Sequence, residues 1–161
     1  MATIGDASLV QSRLVQLACE IGLRILRTSE FVLDCLSEDG LHSYTFILKP
    51  FSSAAHLDIQ LCNLLEKGDQ PDWSYVEAAC MFANQQFDDV LIYPTDGRQV
   101  SVITEIPLLQ PDLLTIASIH EHMAALHDRA KIFFEKLADI ESDSHGSSIP
   151  ATMVGAPILK Q

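Results

Sequence analysis

No stretch of this chain supplies the roughly 20 uninterrupted apolar residues that a membrane-spanning helix needs. The longest candidate, SLVQSRLVQLACEIGLRIL, is broken by Arg13, Glu20 and Arg24. The opening residues MATIGDAS contain no basic group and lead into no apolar block, so a secretory signal is not expected and a cytoplasmic location is. Basic residues are scarce throughout: 10 Lys and Arg stand against 22 Asp and Glu, a net charge of −12. That balance repels phosphate backbones and anionic lipid surfaces, which excludes nucleic acid and membranes as expected partners. The four cysteines, at 19, 35, 62 and 80, form no C-x-x-C pair and sit among apolar neighbours, as expected of buried free thiols in a reducing compartment. A Walker loop, a dinucleotide fingerprint and a G-x-S-x-G elbow are all missing, so no cofactor is expected.

Apolar residues, by contrast, are plentiful: 48% of 161 residues at a mean hydropathy of +0.18. This is enough to offset the entropy of folding and excludes a wholly disordered chain. The length suits one domain, expected over residues 1–141, with a flexible tail over 142–161 where Ser, Gly and Pro replace periodicity.

Val10, Leu14, Leu17, Ile21 and Ile25 recur at helical spacing and predict an amphipathic helix from about Ser8 to Arg27. EFVLDCL and HSYTFILKP read as strands at about 30–36 and 42–49, joined by a hairpin in which Asp39-Gly40 supplies left-handed turn residues. Residues 54–66 fit either a strand or a helix, and the alternation of Leu57, Ile59 and Leu61 favours a third strand near 57–63. PDWSYVEAACMFANQQF predicts a helix whose Ser74-x-x-Glu77 can form a capping box. VLIYPTDGRQVSVITEIP follows as a hairpin, with Gly97 at the left-handed turn position and Val100, Val102, Thr104 and Ile106 on one face. Ile116, Ile119, Met123, Leu126, Ala130, Phe133, Leu137 and Ile140 then mark a long helix with an apolar seam. The expected fold is α+β: a twisted antiparallel sheet of about five strands on helices, in the order α-β-β-β-α-β-β-α.

Candidate chemistry is thin. In HEHMAALH, His120 and His127 fall beside the seam while His122 points about 160° away at 100° per residue, so the three cannot converge on a metal. Asp88-Asp89 lies at a helix-to-strand junction, where solvated turn carboxylates are ordinary. Apolar residues Leu113, Ile132 and Phe134 lie beside the seam of the last helix, more than one sheet face demands. With Trp73 and Tyr75 at the start of the second helix, they are the candidate dimer or client contacts. A small hydrolase or metal-dependent enzyme remains the alternative, requiring His and carboxylate groups that converge only in space.

FANQQF, the hairpin ending in VSVITEIPL, and QPDLLTIASIHEHMAALHDRAKIFFEKL carry a resemblance over residues 8–140. The chain resembles the class I type III secretion chaperones and the YbjN-like family of putative sensory-transduction regulators. That resemblance implies a sheet packed on helices, a homodimer, no catalytic residues, and a surface that holds an unfolded segment of a protein client. Sheets with an exposed edge can add such a segment by backbone hydrogen bonds.

Overall fold

A computed structural model describes residues 4–50, 55–65, 71–85, 90–108 and 114–148. Nine elements follow one another: helix α1 (Ile4–Ile21), strands β1 (Arg24–Thr28), β2 (Val32–Leu36), β3 (Ser43–Pro50) and β4 (Ala55–Cys62), helix α2 (Trp73–Ala83), strands β5 (Val90–Thr95) and β6 (Gln99–Leu108), and helix α3 (Ile116–Ser148). The six strands form one sheet in the order β1-β2-β3-β4-β6-β5, and every neighbouring pair is antiparallel. The α+β class and the order of elements match the sequence expectation, with one strand added.

The added strand arises because α1 stops at Ile21 and does not run on to Arg27. Gly22 takes a left-handed φ of 95°. The Gly22 N–H donates to Cys19 O at 3.1 Å and the Leu23 N–H to Ala18 O at 3.0 Å, the pair of bonds that closes a Schellman cap. The apolar spacing continues through Ile25, but beyond the cap it belongs to a strand in which Ile25 pairs with Cys35.

The ambiguous stretch forms a strand over Ala55–Cys62, β4, central in the sheet between β3 and β6. At the start of α2 the cap is Asp72: its carboxylate accepts from the Ser74 N–H at 3.0 Å and from the Ser74 hydroxyl at 2.6 Å. The Ser74 hydroxyl thus turns back to Asp72, in place of a Ser74–Glu77 box. In the first hairpin only Gly40 is left-handed, and in the second Arg98 (φ 60°) joins Gly97 (φ 79°). Helix α3 continues to Ser148, so residues 142–148, expected in the tail, are helical. The Tyr75 hydroxyl meets Ser144 Oγ at 2.5 Å and ties this extension to α2. Residues 149–161 lie outside the described part.

One face of the sheet is covered. Leu33, Phe46, Ile59, Leu61, Ile92 and Val102 are buried there against Leu14 and Leu17 of α1, Val76 and Ala79 of α2, and Ile119, Leu126 and Phe133 of α3. All three helices share this side, since α3 touches both other helices and strands β4 to β6. The opposite face carries the alternate residues, among them Asp34, Thr45, Asp58, Gln60, Ile103 and Glu105, and no described helix lies on it.

Candidate functional site

Two of the large apolar side chains that folding leaves exposed, Leu41 and Phe134, stand where the β2–β3 hairpin meets α3. A groove of about 600 Å³ opens there, lined by Leu41, Leu61, Leu64, Ala130 and Phe134 together with His42, Cys62, Asn63, His127 and Lys131. Leu41 is 76% exposed and Phe134 40% exposed.

Local chemistry builds each wall. Leu41 is presented by a tight turn in which Asp39 Oδ1 accepts from the Ser37 hydroxyl at 2.6 Å and from the Leu41 N–H at 3.0 Å. The same two bonds, the Ser37 one first, hold the Asp39 carboxyl below its ordinary pKa. Behind the groove, Asn63 turns the chain out of β4 in a left-handed conformation (φ 55°), which Asn tolerates better than most residues. The Leu64 N–H then donates to Val100 O at 2.9 Å. Gln99 brackets Leu65, accepting from its N–H at 3.1 Å and donating to its carbonyl at 3.0 Å.

The floor is a polar cluster. The buried Tyr44 hydroxyl and His127 Nε2 stand 2.5 Å apart, and the His42 ring meets His127 edge to face at 4.7 Å. Burial pushes the Tyr44 pKa up to about 12. Burial first, then the neighbouring His42, lowers the pKa of His127, against a smaller opposing pull from Asp128. The neutral imidazole is therefore favoured in the fold, while the unfolded chain takes up its proton near 6.5. This contribution to stability is complete above about pH 6.5 and is lost as pH falls below it. The expected result is a urea midpoint that falls between pH 7.5 and 5.5, with a shallower fall in His127→Gln.

Of the candidate contacts read from the sequence, only Phe134 lines this groove. Ile132, Trp73 and Tyr75 are partly buried against the core, Trp73 with the Arg98 guanidinium 5.6 Å from its ring centroid. Leu113 lies outside the described residues, as do Asp88 and Asp89. His120 is exposed, and His122 Nδ1 lies 2.8 Å from Ser118 O. Among the described residues no group of three or more His, Cys, Asp or Glu could hold a metal. All four cysteines are free, but Cys19 is exposed, contrary to expectation. Burial raises the Cys35 pKa to about 12 and that of Cys80 to about 11, which leaves both as inert thiols. No helix among the described residues is long and apolar enough to cross a membrane.

The sheet edges differ from the simple platform expected. On the outer side of β5, Asn84 acts as a substitute strand: its amide donates to Ile92 O at 2.6 Å and accepts from the Ile92 N–H at 2.9 Å. Pro94, two residues on, has no N–H to offer on that side. The outer edge of β1 is short and interrupted by an irregularity between Ile25 and Arg27, a device that discourages strand addition. The groove, of which sequence reasoning named only Phe134, joins residues far apart in the chain and left no local signal beyond the solvent-facing Leu41 beside Gly40.

No family model matches the chain, and no curated protein does. Among solved structures it is similar to the Yersinia pestis type III secretion chaperone SycH, solved in complex with a stable fragment of YscM2. The likeness has 12% identity and a TM-score of 0.48, and covers 77% of this chain and 98% of that one. Nothing in these comparisons points to the YbjN-like family.

Proposed function

We propose that the chain is a non-catalytic protein-binding module of the cytoplasm whose α3 groove holds an extended segment of a client protein. The observation that carries this reading is the pair of exposed large apolar side chains, Leu41 and Phe134, that line the groove. Exposed apolar surface framed by polar groups marks interaction sites, and extended segments suit a groove with spaced apolar positions. The free cysteines and the acidic balance support a reducing location and a client that is not itself acidic.

Selection of a random peptide library on the immobilised full chain tests the reading. Peptides with apolar anchors are expected to enrich, and Phe134→Asp or Leu41→Asp to weaken them about tenfold or more while leaving the unfolding midpoint within about 0.5 kcal/mol of the parent. Equal enrichment on the double variant overturns the groove as the seat. Sedimentation decides between a client and a second copy. A parent species of twice 17.8 kDa that Phe134→Asp converts to monomer reassigns the groove to a homodimer contact.

A further inference from the structure

Asp58 lies in the middle of the sheet, on the face that no described helix covers, yet it is only 2% exposed. Its Oδ2 is held by the Lys49 ammonium at 2.5 Å, while its buried Oδ1 has no hydrogen-bond partner among the described residues. A buried carboxylate oxygen without a donor is costly, which makes it a place where a supplied donor binds. Around it is a hollow of about 460 Å³ whose walls include Leu91, Ile103 and Pro107, with Glu105 at the rim. Glu105 is half-exposed and its Oε1 lies 3.0 Å from His56 Nδ1. Two carboxylates thus face one ammonium, in a chain of net charge −12.

We propose that this hollow is a docking subsite for an arginine side chain of the client segment, with Asp58 as its carboxylate and Lys49 as the internal cation it displaces. The apolar walls suit the methylene stem of a long cationic side chain. A guanidinium fork addresses both oxygens of a carboxylate, whereas the Lys49 ammonium, a point charge on a side chain 44% exposed, engages only one. The subsite lies on the open face of the sheet and shares no lining residue with the groove. Asp58, Gln60 and Cys62 alternate onto that face of β4, and Cys62 also lines the groove.

This inference rests on the protein-binding reading, and its test uses a probe independent of the groove. N-acetyl-arginine-methylamide is titrated into the full chain and followed by amide shifts. Saturable shifts are expected at Asp58, Ile103 and Glu105, weakened about tenfold by Asp58→Asn and tightened about tenfold by Lys49→Met, which removes the competing cation. The lysine analogue is expected to bind several-fold more weakly. Should Asp58→Asn fail to fold, Lys49→Met and the exposed Glu105→Gln carry the comparison. Shifts that are absent, that survive Asp58→Asn, or that gain nothing from Lys49→Met overturn the subsite and leave Oδ1 to a water. Arginine binding at Asp58 with no peptide enriched at the groove would sink the client reading alone. Enriched peptides with no arginine preference would sink the subsite alone.

Discussion

Truncating Phe133 to alanine is expected to destabilise the chain by about 3–5 kcal/mol, while the same change at Phe134 costs less than about 1 kcal/mol. The two residues are adjacent on α3 and their rings meet edge to face at 5.1 Å. Phe133 is fully buried in the core and Phe134 is 40% exposed on the groove. Removing the first opens a cavity between α3 and the sheet that close-packed neighbours cannot fill, whereas removing the second exposes little that water does not already touch. Urea unfolding of the two variants checks the contrast. Comparable losses would mean that Phe134 is part of the core, and the groove would lose its principal apolar lip.

The second large effect is expected at Asn84. Its side chain satisfies both backbone groups of Ile92, itself fully buried. Its own N–H donates to Cys80 O at 3.0 Å, and the Gln85 N–H to Phe82 O at 3.2 Å, at the end of α2. Asn84→Ala leaves a peptide N–H and a C=O stranded at the sheet edge, an expected loss of about 2–4 kcal/mol. Asn84→Asp keeps the acceptor for the Ile92 N–H and loses the donor to its carbonyl, so an intermediate loss is expected. Amide hydrogen exchange at Ile92 provides a local check: it should accelerate in Asn84→Ala beyond what the global loss of stability explains. An unchanged rate relative to neighbouring amides would show that water replaces the side chain without penalty.

This asparagine also bears on the proposed function. With the outer side of β5 occupied at Ile92 and Pro94 lacking an N–H, backbone pairing at that edge is opposed. The proposed binding role therefore rests on side chains in the groove and on the open sheet face.

The sequence by itself determined the elements whose patterns are local. The seam from Ile119 to Leu137 specified α3, because one apolar stripe at helical spacing has few other stable arrangements. Alternation through Val100, Val102, Thr104 and Ile106 specified the buried side of β6, since a pleated strand sends successive side chains to opposite faces. Where two periods overlapped, sequence alone erred or stayed open. Ile25 continued the α1 stripe, and only the closure of the Gly22 cap made it part of a strand. Residues 55–62 became a strand because β3 and β6 supplied partners on both sides, an influence no window of sequence contains.

The proposed sites lay almost wholly on the tertiary side. His127 read as one of three divergent histidines until β3 brought Tyr44 against it and the hairpin brought His42. Asp58 read as the polar half of an alternating strand until the sheet buried it beside Lys49. Both sites are made of residues distant in sequence. Their burial and electrostatics, the properties that give a side chain chemistry, exist only once the chain has packed.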